Sequence, residues 1–313
     1  MILITGAGGY IGRHLAAALR GRDEPVRALD LAPESLAPLA ALGAEPVVAD
    51  ACDAAALRQA LAGARVVYHL AGSALGDRAA IWRANAGSAE TLAELCAGLP
   101  GLKALVYASS GALYPSGPGW LDEATPPAPA FPYARAKHAA EQALLDLHRR
   151  KGLPVQVARI AAVYGPGSPA LMADQVRRGR FPLIGGGRGY ASNIHIEDLV
   201  AALLAMPERG RPGRVYNLAD DEPAPVAAFY GRLARLLGAP PPPSISPAAA
   251  RALVWLVGAA SRLRGRPSPL PADLVAMAGV SHRMANGRMR DELGLRPRYP
   301  SYIEGLPAAL GLD

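Results

Sequence analysis

The sequence predicts an α/β fold, in which a doubly wound parallel sheet is followed by a smaller, mostly helical carboxyl-terminal domain. Short apolar runs of strand length alternate with segments of helical periodicity over about the first 220 residues. A glycine-rich turn joins the first predicted strand to the first helix, and the alternation loosens after Pro166. Such alternation is typical of a parallel sheet that helices cover on both faces.

The first thirty residues form the most informative unit. Ile2–Thr5 is an apolar run of strand length, helical periodicity follows, and residues 26–29 form a second apolar run that ends at Asp30. Between strand and helix stand three glycines at three-residue spacing: Gly6, Gly9 and Gly12. Strand, glycine turn, helix, strand and acid is the order that a Rossmann-type dinucleotide-binding unit requires.

Each glycine has a physical reason to be there. Gly6 can adopt the backbone angles of a tight turn, Gly9 lets the backbone approach a pyrophosphate, and Gly12 lets the helix pack near the strand. The free N–H groups and the dipole at the start of the helix favour an anion. A glycine-rich turn that binds no ligand is the alternative interpretation of this pattern.

Asp30 predicts which dinucleotide is bound. Its carboxylate can accept hydrogen bonds from both ribose hydroxyls and would repel a 2′-phosphate, so we expect NAD, with NADP less favoured. Arg13 and Arg27 lie close in sequence and count against this preference.

The next predicted elements run to residue 72: a helix at 33–42, a strand at 45–49, a helix at 53–61 and a strand at 65–70. Asp50 follows the third strand. It could contact an adenine amino group or could cap the next helix, and the sequence leaves both interpretations open. Ala71 and Gly72 follow the fourth strand, and their small size would let a cofactor lie against the strand end.

Further elements continue the alternation: a helix at 81–97, a strand at 102–108, a loop at 115–132, a helix at 133–150, a strand at 155–159, a helix at 170–179, a short strand at 181–184, a helix from 194 to about 206 and a strand at 214–218. A later apolar helix, residues 248–263, is expected to pack within the carboxyl-terminal domain. The alternative for this helix is a membrane-surface anchor.

Tyr133 and Lys137 stand four residues apart on a predicted helix and therefore share one face. A cation beside a phenol stabilises the phenolate and lowers its pKa, so the tyrosine can exchange a proton with an alcohol or a carbonyl near neutral pH. The lysine can also bind ribose hydroxyls. Ser110, at the end of a strand, can hold the substrate oxygen with its hydroxyl. A chance Tyr-x-x-x-Lys is the alternative, which is disfavoured because the chain has only three lysines.

Composition excludes several classes of protein. The 313-residue chain is 51% hydrophobic, which suffices for a buried core, and its apolar runs are too short to span a bilayer. The net charge of +7 comes almost wholly from arginine, without a basic run or a nucleic-acid motif. Cys52 and Cys96 make no metal or disulfide pattern. We expect a soluble cytoplasmic protein that binds no metal and no nucleic acid.

Several segments occur together in the order typical of one enzyme family: TGAGGYIG (5–12), Asp30, YHLAG (68–72), SSGALY (109–114), PYARAK (132–137), VYGPG (163–167), IHIEDL (194–199), VYNLAD (215–220) and DELGLRPRYPSYIEGL (291–306). By these motifs the chain resembles an extended short-chain dehydrogenase/reductase of the NAD-dependent epimerase/dehydratase family.

The resemblance implies roles for individual residues. Tyr133 is the acid/base, Lys137 its activator and ribose ligand, and Ser110, which stands four before Tyr114, is the oxygen-binding hydroxyl. The residues that would bind the dinucleotide are Gly6, Gly9, Tyr10, Ile11, Gly12, Asp30, Asp50, Ala51, Leu70, Ala71, Gly72, Tyr133 and Lys137. His195 resembles a residue that orders a late loop, or is simply a helix-entry histidine bonded to backbone. A small-molecule substrate and a homodimer are also implied.

Departures from the family pattern bear on the substrate. Sugar-nucleotide epimerases of this family usually carry an Asn where Ala162 stands and an Arg where Ala191 stands. That Arg would clamp a diphosphate bidentately; the possible replacements here are Arg177, Arg178, Arg180 and Arg188. The resemblance therefore favours an NAD-dependent oxidoreductase that interconverts an alcohol and a ketone.

Two other functions remain as alternatives, a nucleotide-sugar epimerase or dehydratase that uses tightly bound NAD, and a non-catalytic dinucleotide sensor. The predicted division of the chain assigns 1–165 and about 190–220 to the NAD-binding domain. It assigns 166–189 and 221–313 to a substrate-binding cap domain.

Overall fold

The computed structural model describes residues 1–266, 268, 270 and 274–312. Its strands, in chain order, are β1 (Ile2–Thr5), β2 (Val26–Asp30), β3 (Glu45–Val48), β4 (Val66–His69), β5 (Ala104–Ser110), β6 (Trp120–Leu121), β7 (Val155–Ile160), β8 (Ala162–Tyr164), β9 (Leu183–Ile184), β10 (Tyr190–Ala191), β11 (Asn193–His195), β12 (Val215–Leu218), β13 (Ala224–Pro225), β14 (Ser244–Ile245) and β15 (Arg283–Met284).

The α-helices are α1 (Tyr10–Arg20), α2 (Pro33–Ala41), α3 (Ala54–Ala60), α4 (Arg78–Trp82), α5 (Ser88–Ala97), α6 (Pro132–Lys151), α7 (Ala173–Arg177), α8 (Ile196–Arg209), α9 (Val226–Leu236), α10 (Pro247–Leu263), α11 (Leu274–Ala278), α12 (Gly287–Leu293) and α13 (Tyr302–Leu310).

Seven parallel strands form the central sheet in the order β3-β2-β1-β4-β5-β7-β12. The chain winds outward from β1 to β3 and then returns to β4 on the other side of β1. This reversal creates a crevice at the carboxyl ends of β1 and β4, where ligands of open α/β sheets bind. The predicted fold class, a Rossmann-type doubly wound parallel sheet, is confirmed.

Helices cover both faces of the sheet because successive strand residues point in opposite directions. Ile4 belongs to one buried cluster, with Leu15 of α1 and Leu203 of α8. Leu3 belongs to the other, with Leu92 of α5 and Leu144 of α6. Burial on both faces is the reason that β1, β4 and β5 are largely apolar, whereas β3 at the edge of the sheet is mostly exposed.

Some predicted elements differ from the structure. The helix expected over 81–97 contains a π-helical turn, Arg83–Gly87, between α4 and α5. The helix expected over 170–179 is divided into a 3₁₀ turn and α7, because Met172 between them has a φ of 50°. The loop expected over 115–132 contains β6, which pairs with β15. Pairing with a distant strand cannot be read from local periodicity.

A third buried cluster gathers side chains that come mostly from residues after Pro166: Tyr164, Leu171, Val176, Ala224, Phe229, Leu233, Ala234, Leu306 and Ala309. It packs α7, α9 and α13 together. The division into an NAD-binding and a cap domain stays a prediction, and residues 267, 269, 271–273 and 313 of the predicted cap lie outside the described residues.

The predicted apolar helix is present as α10, but it is not packed as expected. Ala250 is its one buried residue. Leu253, Trp255, Leu256 and Leu263 are exposed. Within the described part of the chain, no helix is long and apolar enough to cross a membrane.

Candidate active site

A cavity of about 390 Å³ lies at the carboxyl ends of β1, β2 and β4, where the winding of the sheet reverses. Eight of the residues predicted to bind the dinucleotide line it: Gly6, Gly9, Asp30, Asp50, Ala51, Leu70, Ala71 and Gly72. Residues from four separate segments of the sequence thus converge on one cavity, as a dinucleotide site requires.

Close backbone approach explains the glycine turn. Gly6 has a φ of 70°, and a Cβ on it would lie 2.7 Å from the backbone nitrogen of Ala71. A Cβ on Gly12 would lie 2.3 Å from the carbonyl oxygen of Gly6. Gly8, which the sequence did not single out, is equally constrained, because a Cβ there would lie 1.9 Å from Ser35 Oγ. No side chain caps the start of α1, so its first N–H groups remain available for an anion.

The Asp30 carboxylate is held at the mouth of this turn. Oδ2 accepts a hydrogen bond from Gly8 N at 2.9 Å, and Oδ1 accepts one from Ala32 N at 3.3 Å. The two arginines that count against NAD are engaged elsewhere. Arg27 binds Glu45 at 3.0 Å, and the guanidinium of Arg13 lies 5.1 Å from the centre of the Tyr10 ring. Neither arginine lines the cavity.

Asp50 is not a helix cap. Asp53 caps α3, accepting hydrogen bonds from the N–H groups at 55 and 56. Asp50 instead accepts a hydrogen bond from Cys52 N at 2.9 Å and forms an ion pair with Arg83 of the π-helical turn. Burial raises the pKa of the Asp50 carboxyl, but the Cys52 and Arg83 contacts outweigh burial and hold the pKa below its usual value. Its contact with adenine stays a prediction.

Tyr10 and Ile11 lie at the start of α1 but face different surroundings. The Tyr10 hydroxyl donates to the carbonyl oxygen of Pro166 at 3.2 Å, and burial raises its pKa to about 12. Ile11 lines a second cavity, of about 210 Å³. Tyr10 lines neither this cavity nor the 390 Å³ cavity, so it would contribute to an anion site through its backbone N–H.

The second cavity brings the three predicted catalytic residues together. Ser110 from the end of β5 lines it with Tyr133 and Lys137 from α6. Leu70, Gly72 and Ser73 line both cavities, so the two adjoin. The structure therefore places the predicted catalytic residues beside the cavity that is lined by predicted dinucleotide-binding residues.

Local sequence positions the two helical residues. α6 begins with Pro132 in its first turn, where proline's missing N–H costs nothing. Tyr133 and Lys137 follow at i, i+4 spacing and lie on one face. The Ser110 hydroxyl interacts with that of Tyr133 and lowers its pKa. Lys137 Nζ donates to the carbonyl oxygen of Ala108 at 2.8 Å and lies 5.0 Å from the centre of the Tyr107 ring.

The electrostatics of this pair differ from the expectation. Burial raises the pKa of the Tyr133 hydroxyl, and the Ser110 hydrogen bond lowers it by less. Burial also lowers the pKa of Lys137 to about 7. The predicted lowering of the tyrosine pKa by a neighbouring cation is therefore wrong for this arrangement, because desolvation disfavours both charged forms.

We expect the buried lysine to make stability depend on pH. The unfolded chain retains the lysine proton up to about pH 10.5, and the folded chain retains it only up to about 7. Stability should therefore rise between these values, by at most about 1.4 kcal/mol per pH unit. Urea unfolding across this range should show the rise for wild type and for Lys103→Met, an exposed control. Lys137→Met should lack it, and parallel curves for all three proteins would contradict the assignment.

The two adjacent serines have different partners. Ser109 Oγ donates to Glu141 Oε2 at 2.9 Å, within a buried ion pair between Glu141 and Arg159. Ser110 Oγ accepts a hydrogen bond from Ala112 N at 3.2 Å, and its hydroxyl interacts with that of Tyr133. This difference supports the choice of Ser110 as the residue that holds a substrate oxygen.

Asn85 is a site residue to which the sequence assigned no role. It is fully buried in the π-helical turn, and its Nδ2 donates to the carbonyl oxygens of Ser73 at 2.7 Å and Ile81 at 2.8 Å. Its Oδ1 would lie 2.5 Å from a Cβ on Gly72, at the place where the two cavities adjoin. The sequence shows that Asn85 falls within a predicted helix. It does not show the π-helical turn that orients the Asn85 side chain.

His195 follows the simpler of its two interpretations. It is buried at the start of α8, where its Nδ1 accepts a hydrogen bond from Glu197 N at 3.4 Å. Its ring lies 4.1 Å from that of Tyr299, centre to centre. It is a helix-entry histidine bonded to backbone, and it lines neither cavity.

The four arginines considered as replacements for a diphosphate clamp do not line the catalytic cavity, which is the 210 Å³ cavity that contains Ser110, Tyr133 and Lys137. Arg177 pairs with Asp174 at 2.7 Å, and Arg188 donates to the carbonyl oxygen of Gly185 at 3.3 Å. Arg178 and Arg180 are exposed. Among the described residues that line the catalytic cavity there is no arginine.

Known proteins resemble this chain over most of its length. Residues 2–219 match the NAD dependent epimerase/dehydratase family. A 3-diazoavenalumate denitrifying reductase from Streptomyces sp is 35% identical over 97% of this chain and 98% of its own. A 4-hydroxy-2-methyl-3-oxo-4-farnesyl-3,4-dihydroquinoline-1-oxide ketoreductase from Stigmatella aurantiaca is 31% identical over 75% of this chain and 72% of its own.

Among solved structures, the UDP-glucuronic acid 4-epimerase from Bacillus cereus in complex with NAD has the same fold. It superimposes with a TM-score of 0.80 at 21% identity, covering 99% of this chain and 97% of the epimerase chain. At this identity the similarity shows the fold alone.

Proposed function

Because the chain belongs to the NAD-dependent epimerase/dehydratase family, and is therefore an enzyme, we propose that it is an oxidoreductase that interconverts a ketone and an alcohol. The observation that supports this most directly is the convergence of Ser110, Tyr133 and Lys137 on one cavity that adjoins the dinucleotide cleft. An acid/base, a hydrogen-bond donor and a cation are the groups that carbonyl reduction needs.

The residues present fit NAD. Gly6 and Gly12 let the turn and α1 pack closely against the strand ends, because a Cβ on either would clash with backbone atoms. The start of α1 offers N–H groups to a pyrophosphate. Asp30 would accept hydrogen bonds from a ribose, and Asp50 with Ala51 would border the adenine. When NAD is bound, its nicotinamide would supply or take up the hydride.

In the proposed reaction the Tyr133 hydroxyl donates its proton to the substrate oxygen. The Ser110 hydroxyl donates a hydrogen bond to the same oxygen and so stabilises the negative charge that develops on it. Lys137, on the same face of α6, would bind ribose hydroxyls of the cofactor and so hold the nicotinamide beside Tyr133.

One observation favours reduction over oxidation: two sequence relatives of this chain are named as a reductase and a ketoreductase. Burial raises the pKa of Tyr133, so the phenol is protonated at neutral pH. The absence of arginine among the described lining residues favours a substrate without a diphosphate.

The experiment is a stoichiometric assay with NADH and a panel of aliphatic and aromatic ketones. We expect one NADH consumed for each alcohol formed, and slower reaction with NADPH because Asp30 repels the 2′-phosphate. UDP- and dTDP-hexoses are the contrasting substrates, since an epimerase or dehydratase would convert them without net change in NADH. Conversion of these sugars, without ketone reduction, would replace our proposal by that alternative.

Three further expectations stay predictions of the same proposal. They are the division into an NAD-binding and a cap domain, a homodimer, and a cytoplasmic location.

A further inference from the structure

α10 presents an apolar surface to solvent. Ala252, Leu256, Ala259 and Leu263 recur at four- and three-residue spacing and therefore share one face. Leu256 is 57% exposed and Leu263 is 90% exposed. Trp255, on the flank of this face, is 66% exposed. Large apolar side chains grouped on one exposed helix mark an interaction surface.

Positive charge borders this apolar face. A cavity of about 540 Å³ beside α10 is lined by Arg251, Arg262 and Arg266 together with Trp255. Arg264 is exposed at the end of the same helix. Residues 223–272 contain six arginines and no lysine, aspartate or glutamate, so this stretch carries most of the chain's formal charge of +7.

We propose that α10 docks on an anionic phospholipid surface. The face formed by Leu256 and Leu263, with Trp255 beside it, would enter the boundary between headgroups and acyl chains, and the arginines would bind the phosphates. An apolar helical face with tryptophan and leucine, bordered by arginine, is the pattern of helices that lie in the plane of a membrane surface. The charge of the acid-free stretch is complementary to anionic lipid.

Charge also disfavours a second copy of this chain as the occupant. Two copies joined through α10 would bring two arginine-bearing surfaces together, and like charges placed together disfavour association. Self-association is therefore the outcome that the experiment must distinguish from membrane binding.

The test is sedimentation of the full chain with vesicles of phosphatidylcholine, alone or mixed with phosphatidylglycerol. We expect at least about tenfold stronger partitioning into the mixed vesicles, weakened by added salt. In a protein that carries Trp82→Phe and Trp120→Phe, the remaining Trp255 should shift its emission to the blue on binding. Equal partitioning into neutral and mixed vesicles would overturn the proposal.

Matched variants separate this surface from overall charge. Arg262→Glu, Arg264→Glu and Arg266→Glu together should lower partitioning by about 100-fold. Arg22→Glu, Arg58→Glu and Arg296→Glu change the net charge equally at exposed positions elsewhere and should lower it only several-fold. Equal loss in both triple variants would overturn the proposal. Melting temperature and turnover without vesicles, unchanged in both, serve as the folding control.

A self-association surface would behave differently. If wild type bound no vesicle, formed a dimer in sedimentation equilibrium, and became a monomer on Trp255→Ala with Leu256→Ser, the proposal would be wrong and α10 would be a protein interface. A dimer that persists in this variant while vesicle binding is lost supports membrane docking.

Discussion

Replacing Tyr133 by Phe should lower turnover by about 10²- to 10⁴-fold, the usual contribution of a positioned general acid. The substitution removes only the hydroxyl of a residue that lines the same cavity as Ser110. The ring remains, so the buried packing at the start of α6 is retained. Affinity for NAD should change little, because most of the residues predicted to bind the dinucleotide line the 390 Å³ cavity, which Tyr133 does not line.

The measurement pairs steady-state turnover with calorimetric titration of NAD into each protein. Tyr302→Phe is a matched control, since it makes the same change at a partly buried tyrosine of the third cluster. It should keep wild-type turnover. If Tyr133→Phe kept it too, Tyr133 would not be the acid, and the proposed reaction would lose its proton donor.

Replacing Glu141 by Leu should destabilise the protein by about 3–5 kcal/mol, because it leaves a buried guanidinium without its carboxylate. The side chains of Arg159 and Glu141 are 4% and 3% exposed. Burial lowers the pKa of Arg159, but the bonds to Glu141 outweigh it and raise the pKa. Arg159 Nη1 also donates to the Tyr114 hydroxyl at 2.9 Å, which donates to Asn217 Oδ1 at 2.8 Å.

Urea unfolding of the single variant and of Glu141→Leu with Arg159→Met provides the measurement. The double variant should recover much of the lost stability, since an apolar pair can replace a buried ion pair. A double variant as unstable as the single one would show that shape, not the unpaired charge, causes the loss of stability.

The hydrogen-bonded network around Glu141 and Arg159 joins β5, α6, β7 and β12. Loosening it should therefore also lower turnover, by displacing Tyr133 and Lys137.

Local patterns in the sequence determined much of this protein. Apolar runs located all seven strands of the central sheet, because its inner strands are buried on both faces and are therefore largely apolar. The glycine turn with Asp30 is contained in thirty residues, and Tyr133 with Lys137 in five, so their mutual placement follows from one turn and one helix. The convergence on the sheet's carboxyl edge follows from the rule for open parallel sheets.

Only the tertiary structure decided what depends on distant contacts. The family resemblance favoured Ser110 over Ser109 through its spacing from Tyr114, and the structure adds a physical difference, because Glu141 accepts a hydrogen bond from the Ser109 hydroxyl. Asp50 forms an ion pair with Arg83 and does not cap a helix. This pairing could not be predicted, because partners far apart in sequence leave no periodic signal. Burial, which the whole fold determines, raises the pKa of Tyr133 and outweighs the effect of Ser110, so the pKa moves opposite to the direction expected from a neighbouring lysine. Helical periodicity is local, so α10 could be recognised as a helix from its sequence. The exposure of its apolar face depends on the tertiary fold and could not be predicted in this way.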